Sequence, residues 1–184
     1  KGAKYSVVDE KEFKTSEHII LVDDVLNTLQ ELAKFHRQPL KIPIIGLTGS
    51  NGKTTTKELV NTVLSKKYIT SATIGNLNNH IGVPLTLLAM TPKTEIGIVE
   101  MGANHPQEIA FLCEISQPDY GYVTNFGKAH LEGFGSLEGV IKAKSELYQY
   151  LKTNNKIAFV NPGDAIQVKN TEGIETISFD TKKI

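Results

Sequence analysis

The stretch Ile44-Ile45-Gly46-Leu47-Thr48-Gly49-Ser50-Asn51-Gly52-Lys53-Thr54-Thr55-Thr56 carries a short apolar strand into a glycine-rich turn and then, through Lys and Thr, into a helix. Backbone N–H groups of such a turn point inward with the positive end of the helix dipole behind them, so together they hold a polyphosphate. Lys53 then reaches the β and γ phosphates, and the Thr54 hydroxyl ligates Mg²⁺. Gly49, Ser50, Asn51, Gly52 and Thr55 complete the expected polyphosphate-binding turn. The common G-x-x-x-x-G-K-[ST] form needs glycine at 47, where this chain has Leu47, with glycines at 46, 49 and 52 instead. The bland alternative is a turn that merely joins a strand to a helix, and Lys-Thr at the helix start argues against it.

Apolar runs of strand length alternate with segments of helical period. Ile44 to Thr48, Tyr68 to Thr73, Ile96 to Glu100, Tyr120 to Asn125 and Lys156 to Asn161 read as strands. The helix after the turn carries Leu59, Val60, Val63 and Leu64 on one face. The next begins near Pro84, another spans Gln107 to Ile115, and the longest runs from Ser136 to Lys152. This alternation predicts an α/β fold, a mostly parallel sheet flanked by helices with a P-loop, and places chemistry just after each strand.

Residues 1–40 differ in character, with short strands at Tyr5 to Val8 and His18 to Val22. A helical face of Val25, Leu29, Leu32, Ala33 and His36 follows and runs to Pro39. They read as the end of a preceding domain with a connecting helix, and 41–184 as part of a central domain, the boundary falling near Pro39 to Ile42. His36, on the apolar face, reads as a packed core histidine. Lys1 in place of Met, and a charged stub after the strand that begins near Ile174, make both ends read as cut.

Lys plus Arg is 20 and Asp plus Glu is 20, so no overall field favours nucleic acid or an anionic membrane. The one cysteine, Cys113, excludes an internal disulfide and sits in an apolar run as a core thiol. No leader and no apolar run near about 18 residues is present, which leads to the expectation of a cytoplasmic protein without membrane insertion. A monomer is expected.

Glu100 ends the third strand across from the phosphate turn, where a carboxylate suits Mg²⁺; a solvent-facing Glu is the plain alternative. His130 follows the fourth strand in a glycine-interrupted loop and suits metal ligation or phosphate contact. His80 and His105 are also in loops, and pattern ranks neither. On the longest helix Leu137, Val140, Ile141, Leu147, Tyr148 and Leu151 define a buried stripe that contains Lys144, while Lys142, Ser145, Glu146 and Gln149 point away. A lysine on that stripe is paired, neutral, chemically modified, or snorkels to water. The segment Gly75 to Pro84, rich in Asn, suits a neutral polar ligand or an ordinary loop.

In order, TGSNGKTTT, GNLNNHIGVPLTLL, VEMGANHPQEI, TNFGKAHLEGFGS and KAKSELY resemble the Mur ligase family, cytoplasmic enzymes that build the peptide stem of bacterial cell wall. The similarity runs across about Gly2 to Asp180, and Gly102-Ala103-Asn104 after Glu100 points to its dipeptide-adding branch. The resemblance implies an ATP-dependent ligase in peptidoglycan synthesis, hence cell shape and division. It would activate the carboxylate of UDP-N-acetylmuramoyl-tripeptide as an acyl phosphate, join it to D-Ala-D-Ala, and release ADP and phosphate. It implies that Lys53 neutralises the transferring phosphoryl and that Thr54 and Glu100 hold Mg²⁺. It further implies that His130 helps hold a second Mg²⁺ and that Lys144 is a carbamate, an anionic ligand near that second metal. Asn76, Asn78, Asn79 and His80 match the segment facing the UDP-linked peptide, with Asn104 and Asn125 as further candidates for that cleft. Residues 1–40 would end the N-terminal UDP-substrate domain, and the chain alone is expected not to ligate. Another Mur or folylpolyglutamate-type ligase, or a non-catalytic P-loop nucleotide-binding module, are the competing readings. No N-K-x-D guanine-reading tetrapeptide occurs.

Overall fold

The computed structural model describes residues 2–127 and 131–179. Strands β1 (Ser6–Val8) and β2 (Ile19–Leu21) form a parallel pair of their own, and α1 (Val25–Leu40) follows. The remaining strands are β3 (Ile44–Thr48), β4 (Thr70–Ala72), β5 (Ile96–Glu100), β6 (Tyr120–Val123), β7 (Ile157–Val160) and β8 (Glu175–Ser178). They form one sheet in the order β4-β5-β3-β6-β7-β8, every pairing parallel. β3 lies inside the sheet, and its Ile44 and Leu47 are buried, as suits a strand covered on both faces.

The path explains where a site forms. From β3 the chain runs through α2 (Lys53–Leu64) out to the edge strand β4 and returns through α3 (Gly82–Leu88) to β5, directly beside β3. It then crosses through α4 (Glu108–Ser116) to β6, on the other side of β3. Loops after β3 and β5 therefore leave in opposite directions and open a crevice at the carboxyl ends of the strands. After α5 (Leu131–Phe134), α6 (Leu137–Lys144) and α7 (Glu146–Thr153) lead to β7, and α8 (Ala165–Asn170) precedes β8. α1, α3, α4 and α7 pack together over one face, with Ala33, Leu87, Val99, Ile109, Ile115 and Leu147 in one core cluster. α2 lies over β3, β4 and β5.

Several expectations shift. β4 and β6 are shorter than the runs Tyr68 to Thr73 and Tyr120 to Asn125, since the ladder ends where the loops turn off into the crevice. α1 continues one residue past Pro39 and ends at Leu40, with Lys41 left-handed at φ 47°. Leu32 is exposed, because the inward face of α1 is Gln30, Ala33 and Arg37, whose polar ends reach carbonyls of neighbouring segments. On α2, Leu59 and Val63 are exposed rather than packed and, with Val60 and Leu64, border an apolar groove with Ile45, Tyr122, Phe159 and Phe179, while Lys57 is buried.

The helix expected from Ser136 to Lys152 is two helices. Ser145 interrupts it with ψ −8°, its N–H bonded to Ile141 O and Ala143 O. Ser145 is buried rather than outward, and Glu146 turns toward α4. Lys144 does fall on the buried face, 1% exposed. His36 is half-buried with Nε2 at 2.8 Å from Met90 O, and Cys113 is buried beside Met101, where burial pushes its thiol up. Among the described residues, no helix is long and apolar enough to cross a membrane.

Candidate functional site

The glycine-rich turn reaches its shape through two left-handed glycines. Gly49 has φ 141° and Gly52, which precedes the first turn of α2, has φ 75°. A side chain at Gly49 would collide with the Thr124 hydroxyl, so β6's following loop sets how closely the turn can sit. That loop clamps the turn: Ser50 N–H donates to Asn125 O at 3.1 Å, Ser50 Oγ to Gly127 O at 3.0 Å and Asn51 N–H to Asn125 Oδ1 at 3.1 Å. In return, Thr124 Oγ1 and Asn125 Nδ2 donate to Asn51 O at 2.6 and 2.9 Å. Lys53 Nζ folds back on Gly49 O at 2.8 Å, so the ammonium sits over the turn. Burial lowers its pKa, and the Glu100 carboxylate partly offsets that.

Glu100, at the end of β5 and 1% exposed, faces the same point. Its Oε1 accepts from Thr54 Oγ1 at 3.2 Å and from Asn78 Nδ2 at 2.7 Å, while Oε2 is buried with no hydrogen-bond partner. A buried carboxylate oxygen with no donor, beside a threonine hydroxyl, is a donor set that a hard divalent cation satisfies. Mg²⁺ therefore fits Glu100 and Thr54. Among the described residues, no group of three or more His, Cys, Asp and Glu gathers as a metal cluster. His130, expected as a ligand, lies outside the described residues.

A cleft of about 340 Å³ opens beside this pair, lined by Lys53, Asn78, Asn79, His80, Asn104 and Glu108 among others. Gly102 N–H donates to Asn78 O at 2.7 Å, and Asn79 Oδ1 accepts the N–H groups of Ile81 and Gly82 at 3.1 and 2.9 Å, so the asparagine loop is built by its own side chains. Asn76 is exposed and does not line the cleft. Asn125 belongs to the clamp on the phosphate turn rather than to the cleft wall.

Lys144 approaches the cleft from beneath. Its Nζ donates to Ala103 O at 3.1 Å and lies 5.3 Å from the centre of the Phe134 ring. Burial, then the charge of Lys53, pulls its pKa down to about 8 against the opposing pull of Glu108 and Glu146. About a tenth of this amine is therefore neutral and nucleophilic at pH 7, far more than of an ordinary lysine. Glu108 accepts the N–H groups of Asn104 and His105 at 2.6 and 3.1 Å. Burial works against its ionised form, but those bonds and the His105 ring hold its pKa below the ordinary value. Glu146 caps α4, accepting Gln107 N–H at 2.7 Å and Ala110 N–H at 3.0 Å.

Sequence reasoning missed Lys57, Thr73, Thr124, Glu108 and Glu146. Lys57 alone carried a signal, a cation one turn after Lys53 on the same helix; the others act through tertiary bonds that no local pattern announces.

A glycine-rich turn leading from an inner strand of a parallel sheet into a helix, faced by a buried carboxylate, has the build of a phosphate-binding α/β domain. The chain belongs to the Mur ligase family: the family's "Mur ligase middle domain" matches residues 47–183. It is 44% identical over 163 residues to the UDP-N-acetylmuramoyl-tripeptide--D-alanyl-D-alanine ligase of Bacillus subtilis, which covers 89% of this chain and 35% of that protein. The protein of the same name from Escherichia coli is 46% identical over 142 residues, 77% of this chain and 31% of that one. The MurF ligase of Thermotoga maritima in complex with ADP superposes with a TM-score of 0.86 at 35% identity, over 98% of this chain and 42% of that one. The chain thus spans about a third of the length of the curated relatives it matches.

Proposed function

We propose that this chain supplies the phosphate-binding and carboxylate-activating part of an ATP-dependent ligase that adds D-Ala-D-Ala to UDP-N-acetylmuramoyl-tripeptide in peptidoglycan precursor synthesis. The observation that carries the reading is the buried Glu100 carboxylate, one oxygen on Thr54 and the other unpartnered, set against the Lys53 turn. The turn 49–55 holds the ATP phosphates through the N–H groups at the start of α2, Ser50 and Asn51 being tied to Asn125 to keep its shape, and Lys53 offsets the negative charge of the phosphoryl group in transfer. Thr54 and Glu100 would hold Mg²⁺, which when bound would supply neutralisation of the β and γ phosphates.

Asn78, Asn79, His80 and Asn104 bind and orient the UDP-linked peptide in the cleft, so that its carboxylate faces the phosphoryl group; holding two reactants in register is the main contribution such a site makes. Asn125 holds the phosphate turn through Asn51, and Asn76 lies in the loop that carries Asn78. The neutral form of the buried Lys144 amine would form an N–C bond to CO₂ and release a proton, giving a carbamate whose anionic oxygens, with His130, would hold a second Mg²⁺. The assignment of 1–40 to the end of a UDP-substrate domain and of 41–184 to part of the ATP-binding domain, a cytoplasmic site of action and a monomeric state belong to the same reading.

The test is ADP release, by a protein of the relatives' full length that contains these residues, with UDP-N-acetylmuramoyl-tripeptide and D-Ala-D-Ala, single amino acids or no acceptor. Turnover with D-Ala-D-Ala alone is expected. Acceptor-independent turnover would return the chain to nucleotide-binding modules of other purpose. Carbamate at Lys144 is read separately, as a carbon-13 resonance that appears with labelled bicarbonate and is absent in Lys144→Arg.

A further inference from the structure

α2 turns a lysine toward the sheet where its helical pattern calls for an apolar side chain. Lys57 is 0% exposed. Its Nζ donates to Thr73 O at 2.6 Å and to Gly75 O at 3.3 Å, and lies 2.8 Å from Glu58 Oε1. A buried ammonium is tolerated when each of its three donors has a partner, and here each does. Nothing in the phosphate or carboxylate chemistry uses this residue.

Its partners sit at the root of the cleft loop. Thr73 is where β4 has just ended, and Gly75 begins the turn that leads to Asn78. The Thr73 hydroxyl accepts Glu100 N–H at 2.9 Å, and Asn78 reaches the Glu100 carboxylate from the middle of the same loop. The loop is thus fixed at its root by the phosphate helix and in its middle by the acidic strand. Lys57 lies one turn beyond Lys53, so whatever seats the start of α2 also seats this root.

We propose that Lys57 is a positioning residue that locks the loop 74–81 to the phosphate helix and thereby holds Asn78 against Glu100 in the geometry that accepts a divalent cation with the nucleotide. The inference rests on the ligase reading for its ligand, a Mg²⁺-bound nucleotide. A lysine that merely stabilised the fold would lower stability evenly and leave the cation's contribution to nucleotide affinity alone.

The experiment uses this chain and Lys57→Met. Amide hydrogen exchange is measured across the described residues, and ADP affinity is measured with and without Mg²⁺. Exchange in 74–82 is expected to rise about tenfold or more, beyond any change in β6 and β7, because the buried Thr73 carbonyl and the Gly75 carbonyl lose their donor. The gain in ADP affinity on adding Mg²⁺ is expected to fall about tenfold, with ADP alone bound within about twofold of the parent, since the turn's own N–H groups are untouched. An even rise in exchange, or an intact Mg²⁺ gain, overturns the proposal. If the parent chain binds no ADP, the nucleotide reading fails, and exchange by itself decides on Lys57: a rise confined to the loop upholds its role and an even rise overturns it. If Lys57→Met does not fold, Glu58→Gln, at the exposed partner, takes its place; a smaller rise confined to the loop upholds the coupling and none overturns it.

Discussion

Glu100 and Lys144 each bury a charge that the surrounding protein only partly answers, and each pays in stability what it gains in chemistry. Glu100 Oε2 has no donor, so Glu100→Gln is expected to raise stability slightly, by about 1 kcal/mol, while abolishing Mg²⁺-dependent strengthening of nucleotide binding. Thermal unfolding and ADP titration with and without Mg²⁺ check the two halves; a variant that loses both stability and the cation effect would mean the carboxylate is structural. Lys144 titrates near 8 in the folded chain against 10.5 for a free lysine. Between those values the unfolded chain holds the extra proton, so stability rises with pH; below about 8 the full cost of the buried cation is present, and above about 10.5 it has gone. Lys144→Met is therefore expected to be more stable than the parent at pH 7, and the gap to close by up to about 3 kcal/mol as pH climbs through that window, measured by urea unfolding in bicarbonate-free buffer. The buried position of Lys144 was legible in its spacing along the stripe. The carboxylate's orphaned oxygen was not, since no sequence pattern reports which lone pairs lack a donor.

At the scale of elements, β3 and β5 match the apolar runs Ile44 to Thr48 and Ile96 to Glu100 to the residue. An inner parallel strand needs apolar side chains on both faces, and such a run stands out wherever glycine or charge bounds it. The break between α6 and α7 had no such marker. It arises where Glu146 leaves the outward face to accept Gln107 and Ala110 N–H groups at the start of α4, and Gln107 itself is left-handed at φ 71°. This cap fixes the turn 103–107, whose Ala103 carbonyl receives Lys144. Glu146→Gln keeps the shape but removes the charge that strengthens both bonds and favours a helix N-terminus. A loss of about 1 kcal/mol in urea unfolding is expected, together with faster amide exchange in the first turn of α4. Unchanged exchange there would assign the break to α6 and α7 alone.

For the whole molecule, an ionic tie at the starts of the strands, opposite the crevice, joins α1 to the sheet. Asp119, just before β6, accepts Ile44 N–H and an Arg37 guanidinium N–H, each at 3.0 Å, through Oδ2, and Lys156 Nζ at 2.7 Å through Oδ1. Arg37 also donates to Ser116 O and Gln117 O at 3.3 Å, so α1, the end of α4 and the starts of β3, β6 and β7 converge on one carboxylate. α1, the helix expected to connect residues 1–40 to the rest, is packed into this core through Ala33 and Arg37. Asp119→Asn leaves Arg37, 7% exposed, without its counter-charge. A loss of about 2–3 kcal/mol is expected, below the range for a fully buried pair because Asp119 is partly open to water. Removing the stranded cation as well, in Arg37→Met with Asp119→Asn, is expected to recover part of that loss, since an apolar side chain can fill the site between α1 and α4. Urea unfolding of Asp119→Asn, Arg37→Met and the double variant separates the outcomes. A double variant as unstable as the sum of its parts would mean that Arg37 contributes through its carbonyl bonds at the end of α4, and that the tie of α1 to the sheet is made by hydrogen bonding rather than by charge.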